Sequence, residues 1–363
     1  MIGGFMRSAP GLSTAGPPLG RICCGRMPRR VACTTSGPPG GPNPYIWCCA
    51  AHAATTHRHH RGRPSRVAEG CREASVRPTL ERERARSGAT MTEAATTNFA
   101  TSADGTRIAF DREGAGPPVV LIGGAMQYRA PGSQTAELAR QLASHGFEVV
   151  EYDRRGRGDS PADPPITLAQ TLDDLRAVIG ELTEGADDAV ALFGNSSGGA
   201  IALAAAAAGL PVSRIVVFEV PLDDELGTNA AEDLAALRTA LDEGGSEAGI
   251  AQFMSGMPPE WFENLRQSPE WERARTIGPS LVPDLEVLAW TQSAARSALW
   301  AGIAQPVLAL VGSEAFPFMR DAADSMVANL PHAEQRAIEA SDHRWEPRVL
   351  ALAIAGFLVD GPR

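Results

Sequence analysis

The sequence predicts an α/β domain: a mostly parallel central sheet flanked by helices, with a helical insertion late in the chain. Three observations carry this. From about Phe99 onward, short apolar runs alternate with segments of helical period. One apolar run ends in Gly194-Asn195-Ser196-Ser197-Gly198 and passes directly into an Ala-rich helical segment. Between Val220 and Pro306 the alternation stops, and the stretch reads as helices broken by Gly and Pro, without strand-like runs.

The elements follow in order. Phe99–Ala103 and Arg107–Phe110 flank Asp104-Gly105, a hairpin signal. Pro118–Ile122 is predicted as a strand ending in Gly123-Gly124. A helix is predicted over Gln134–His145, with Leu138 and Leu142 four apart and Gly146 ending it. Phe147–Tyr152 is the next strand. Leu168, Leu172, Leu175, Ile179 and Leu182 predict a helix over Thr167–Leu182. Ala189–Phe193 and Arg214–Val220 are predicted strands around an Ala-rich helix over Ser197–Gly209. After the insertion come a strand at Pro306–Val311, a helix from about Met319 to Leu330, a polar strand near Glu334–Glu339 and a final helix over about Arg348–Val359. The insertion, about residues 223–300, is expected to cap one end of the sheet. It carries Trp261, Trp271, Trp290 and Trp300, which line an acyl pocket or pack the cap onto the sheet.

Composition narrows the function classes. The chain has 363 residues, 44% of them apolar, too many for wholesale disorder. Its longest apolar run, at Ala200–Leu210, is about half of what a membrane span needs. The net charge of −10 divides unevenly: residues 1–90 hold 14 Arg and 4 acidic residues, residues 91–363 hold 19 Arg and 39 acidic residues. The acidic body would repel a phosphate backbone, so neither nucleic acid nor a membrane is an expected partner. Residues 1–90 carry all six Cys, four His and ten Pro without apolar periodicity. They are expected to be a disordered basic extension, and Met91 a plausible true start. Their Cys doublets match no zinc spacing, and the first twenty residues lack the apolar core of a secretory signal. The expected location is the cytoplasm.

The sharpest motif is Gly194-Asn195-Ser196-Ser197-Gly198 between strand and helix. Glycines at both ends let the two elements pack closely, which pushes Ser196 out at the tip of a strained turn. The Ser197 N–H then lies at a helix N-terminus, where it favours negative charge.

With this motif the chain resembles the α/β-hydrolase superfamily over about residues 97–361. Tyr152-Asp153-Arg154-Arg155-Gly156-Arg157-Gly158-Asp159-Ser160 looks like the family's Asp-x-Arg-Gly-x-Gly-x-Ser segment, a structural turn beside the site. Gly123-Gly124-Ala125 stands in place of its His-Gly-x loop, without the His. His343 follows the last strand and precedes the last helix, the family's catalytic His position; His145 and His332 read as a helix end and a solvated loop. The resemblance implies Ser196 as nucleophile, His343 as base, and the N–H groups of Ser197 and Ala125 as oxyanion donors. The acid is expected at Glu314, one residue off the family's place after the seventh strand; Asp223, Asp224 and lastly Glu219, after the sixth, are the alternatives.

The resemblance implies a serine esterase acting on a small-molecule acyl substrate (ester, thioester or lactone) with no cofactor and no metal. Dehalogenases and epoxide hydrolases of this fold carry Asp at the elbow centre, where this chain has Ser196. Two rival readings share the fold: a cofactor-independent perhydrolase resembling haloperoxidases, and an inert ligand-binding member. A third makes the basic N-terminal segment a polyanion-binding tail.

Overall fold

The computed structural model describes residues 97–185, 188–257 and 259–359. The expected disordered extension, residues 1–90, and the proposed start at Met91 lie outside them.

Nine strands form one sheet in the order β1-β2-β4-β3-β5-β6-β7-β8-β9. The antiparallel start comprises β1 (Asn98–Thr101) and β2 (Arg107–Gly114), which pairs with β4 (Glu148–Tyr152). From β4 the ladder is parallel through β3 (Pro118–Ile122), β5 (Val190–Asn195), β6 (Val212–Phe218), β7 (Val307–Glu314) and β8 (Ala333–Ser341). The two-residue strand β9 (Arg344–Trp345), which the sequence does not signal, turns back antiparallel on β8.

Parallel strands covered on both faces need apolar side chains on both. Val119, Leu121, Val149, Phe193, Val216 and Leu308 face α1 (Gln134–Ser144) and α10 (Pro347–Val359). Val120, Ile122, Val150, Leu192 and Val217 face the other side, with α2 (Leu168–Gly180), α3 (Ser197–Ala207) and α9 (Pro317–Asn329). Nearly every residue of α3 is buried, as its uniformly apolar composition requires. Ser133 caps α1, and Thr167 with Gln170 forms a capping box on α2.

Between β6 and β7 the chain is helical: α4 (Asn229–Phe253), α5 (Pro259–Arg266), α6 (Trp271–Ala274), a 3-10 turn (Gly278–Leu281), α7 (Val282–Gln292) and α8 (Arg296–Leu299). Gly245, at φ +72, breaks α4 into two segments. Trp300, Phe253, Met254 and Met257 are buried in the core, while Trp261, Phe262, Trp271 and Trp290 are half-buried against it. α7 packs on both α3 and α4, so this segment rests on the helix that follows Ser196.

Candidate active site

The elbow is built by close approach. Strand β5 pairs with β3 through Ile122 and Gly194, and α3 leaves immediately after Ser196. A Cβ on Gly194 would stand 2.4 Å from the Gly198 carbonyl oxygen, and one on Gly198 2.2 Å from that of Ile122. No larger residue fits either position without separating strand from helix. Ser196 takes φ 55° and ψ −128°, conformations that L-residues adopt at a cost. Its N–H donates to the Phe218 carbonyl of β6 at 2.9 Å.

Six non-glycine residues have positive φ among the described residues: Met126, Ser196, Glu219, Leu226, Asp342 and His343. Three of them, Ser196, Glu219 and His343, carry candidate site side chains, Met126 adjoins Ala125 and Asp342 precedes His343. Asp342 and His343 form the two-residue connection between β8 and β9, with Ser341 paired to Arg344, and both residues are left-handed as such a turn requires. The turn presents His343, which is buried, with its ring centroid 6.0 Å from that of Phe218.

The carboxylate beside this imidazole is Glu219, the last of the alternatives, and not the expected Glu314. His343 Nδ1 lies 2.6 Å from Glu219 Oε2, and both side chains are at most 3% exposed. Glu219 Oε1 accepts from the Gly312 N–H at 2.9 Å, and the Glu219 N–H donates to the Leu310 carbonyl at 3.1 Å. Glu314 is exposed beyond this point of β7, in an open groove of about 640 Å³ shared with Glu339 and Asp342. Asp223 accepts from the Asp224 N–H and from Asn229 Nδ2, each at 2.8 Å, which holds the chain entering α4. The Asp224 side chain is exposed, and its carbonyl accepts from Gln292 Nε2. His145 ends α1, and His332 is exposed.

The expected oxyanion donors belong to peptide groups whose carbonyls are held. The Ser196 carbonyl, in the same peptide as the Ser197 N–H, accepts from the Gly199 N–H at 2.9 Å. The Gly124 carbonyl, in the same peptide as the Ala125 N–H, accepts from Arg157 Nη1 at 2.7 Å. A planar trans peptide points its N–H opposite its C=O, so each partner aims an N–H. Gln127 Oε1 joins the two segments, accepting from the Gly124 N–H at 2.8 Å and from Asn195 Nδ2 at 3.2 Å.

The arginine-rich segment after β4 is a scaffold. Asp153 accepts from the N–H groups of Arg129 and Asp159, Ser160 Oγ donates to the Asp153 carbonyl, and Arg155 pairs with Asp174 of α2. Arg154 and Arg157 both reach Asp284 at the start of α7. Sequence reasoning missed Asp284, because an acidic residue in a first helical turn reads as a dipole partner.

Residues 119–351 match the model of the alpha/beta hydrolase family. The chain belongs to that family. An alpha/beta hydrolase from Sphaerobacter thermophilus is 35% identical and aligns over 72% of this chain and 100% of its own, with a TM-score of 0.60. A hydrolase from Pseudomonas aeruginosa (22% identity, 74% of this chain and 100% of that one, TM-score 0.55) and a thermophilic esterase from Thermogutta terrifontis (21% identity, 73% and 97%, TM-score 0.52) share the fold. No match was found among curated proteins. Among the described residues of this alpha/beta hydrolase, no group of three or more His, Cys, Asp or Glu stands as a metal site. None of their helices is long and apolar enough to cross a membrane.

Proposed function

We propose that the protein is a serine hydrolase cleaving an ester-type bond of a small molecule through an acyl-enzyme, with Ser196, His343 and Glu219 as its triad. The observation that carries this reading is the buried contact between His343 Nδ1 and Glu219 Oε2, on an imidazole presented by a strained turn.

A carboxylate on Nδ1 selects the tautomer with its proton there, which puts the basic lone pair on Nε2. His343 takes the Ser196 hydroxyl proton as Oγ bonds to the acyl carbon. Charge on the carbonyl oxygen is received by the Ser197 and Ala125 N–H groups, each of which is worth roughly 2.7–4 kcal/mol of barrier in sites of this kind. The imidazolium, stabilised by Glu219, returns the proton to the leaving oxygen as the acyl bond breaks. Water then attacks the acyl-enzyme, giving a proton to His343, which passes it to Ser196 Oγ as the acid leaves.

A fluorophosphonate probe tests this on the full chain. The wild type is expected to label and to hydrolyse p-nitrophenyl esters of graded length; Ser196→Ala is expected to do neither. A folded wild type that does not label, or label surviving in S196A, overturns the reading.

A further inference from the structure

We propose that Asp284, carried by α7 between β6 and β7, is a positioning residue for both oxyanion donors and so couples the seating of this helix to turnover. The proposal rests on the serine-hydrolase reading above.

One carboxylate reaches both halves of the oxyanion site. Asp284 Oδ1 accepts from Ser197 Oγ at 2.6 Å and from Arg154 Nη1 at 2.7 Å, and Oδ2 accepts from Arg157 Nη2. All four side chains are buried. On the Ser197 side, the hydroxyl belongs to the residue whose N–H would meet the oxyanion, and it tethers the first turn of α3 to α7. On the Ala125 side, the arginines carry the restraint. Arg157 Nη1 donates to the Gly124 carbonyl at 2.7 Å and to the Gln127 carbonyl at 3.2 Å, and Arg154 Nη1 donates to the Gly123 carbonyl at 3.1 Å. Since Gly124 C=O and Ala125 N–H share one rigid peptide plane, the guanidinium that fixes the first aims the second. Arg157 is in turn held by Ser280, whose Oγ accepts from its Nε at 2.9 Å and whose carbonyl accepts from Nη2 at 2.9 Å.

The charge is stable in this position. Burial pushes the Asp284 carboxyl up, but Arg154 and Arg157 outweigh it and hold the group below the usual carboxylate range. Charge-assisted contacts of this kind are stiffer than neutral ones, and oxyanion stabilisation depends on donors that need no reorganisation.

Ser197→Ala is the cleaner variant, because it keeps the Ser197 N–H and all ion pairs and removes only the tether. Asp284→Asn removes the charge but leaves two buried guanidiniums short of a partner, so loss of stability is expected with it. The readout is the rate of fluorophosphonate labelling at Ser196, resolved into kinact and KI. In that reaction Ser196 Oγ bonds to phosphorus, fluoride leaves, His343 takes the hydroxyl proton, and the phosphoryl oxygen occupies the oxyanion site. Folded S197A, judged by circular dichroism and melting, is expected to lose about tenfold in kinact with KI unchanged, less than the ~10²–10³ lost with a whole donor. D284N, where it folds, is expected to lose more. Wild-type kinact in folded S197A or folded D284N overturns the proposal, as does a loss confined to KI or to melting temperature. Failure of the wild type itself to label overturns the serine-hydrolase reading and this proposal with it, whereas labelled wild type with unaltered variants overturns this proposal alone.

Discussion

At the scale of single residues, the choice between Glu219 and Glu314 separates what a linear sequence shows from what it hides. The positions of Ser196, at the bend between β5 and α3, and of His343, in a turn after β8, were legible because local context marks them: a strand–turn–helix with glycines for one, a polar stretch ahead of the last helix for the other. The partner of His343 depends on which strand end lies opposite the β8–β9 turn, and that is decided by sheet registration across 124 residues. A weaker signal was present. Glu219 sits in Val216-Val217-Phe218-Glu219-Val220, a carboxylate inside an apolar run, and a charge so placed must find a partner or raise the cost of folding. Glu314, beside Ser313 and before Ala315, had no such obligation. Glu219→Gln keeps the size of the side chain but removes the acceptor charge and permits the wrong imidazole tautomer. It is expected to lower kcat on a p-nitrophenyl ester by about 10²–10⁴, by analogy with the acid of other triads, with little change in KM. Glu314→Gln is expected to stay within about twofold, as exposed carboxylates contribute little. Equal losses in the two variants would place the acid elsewhere.

At the scale of elements, legibility followed periodicity. Strands covered on both faces announced themselves as apolar runs, and α2 by its leucine spacing. β9 was invisible, because two residues have no period; it exists because the left-handed pair Asp342-His343 folds Arg344 back onto Ser341. Polar β8 runs from Ala333 to Ser341, longer at both ends than Glu334–Glu339, since main-chain pairing with β7 rather than apolar burial sets its length. The elbow itself supplies the element-scale test. Adding one methyl at Gly198 brings it 2.2 Å from the Ile122 carbonyl, while β3 and β5 are locked together by their ladder. Gly198→Ala is therefore expected to cost about 1–3 kcal/mol or more of stability in urea titration, as overpacking of a rigid contact does. Gly180→Ala, at the last turn of α2 with nothing within 4 Å of a new Cβ, is expected to gain about 0.5–1 kcal/mol from helix propensity. The same substitution should thus change sign with its neighbours, and two destabilised variants would show that the close approach is not what makes Gly198 necessary.

At the scale of the whole molecule, net charge and buried carboxylates together set how stability depends on pH. Glu151 on β4 stands opposite Asp111 of β2 in the ladder and close to Asp153. Burial, then the charges of Asp153 and Asp111, push its carboxyl from 4.5 up to about 8, against the opposing pull of Arg129 and Arg140. Asp153 is also raised, chiefly by burial, although Asp159 and Arg129 donate to it. The folded chain therefore keeps a proton on Glu151 over a range in which the unfolded chain has released it. Stability falls wherever the folded state binds more protons and pH rises. This contribution is intact below about pH 4.5 and is lost progressively as pH climbs through about 8. Each unit of the shift corresponds to about 1.4 kcal/mol, so the whole is at most about 5 kcal/mol. Asp284 works in the opposite direction: held low by Arg154 and Arg157, it supports the fold at neutral pH and loses that support only on acidification below the ordinary carboxylate range. Between pH 5 and 8 the Glu151 effect should dominate, and urea unfolding of the wild type is expected to become easier across that interval. Glu151→Gln cannot ionise, keeps the volume, and is expected to flatten the slope and to exceed the wild type most at pH 8. Parallel pH profiles for the two proteins would show that Glu151 ionises in the folded state at its ordinary value, and that the acidic cluster around Arg129 is open to water.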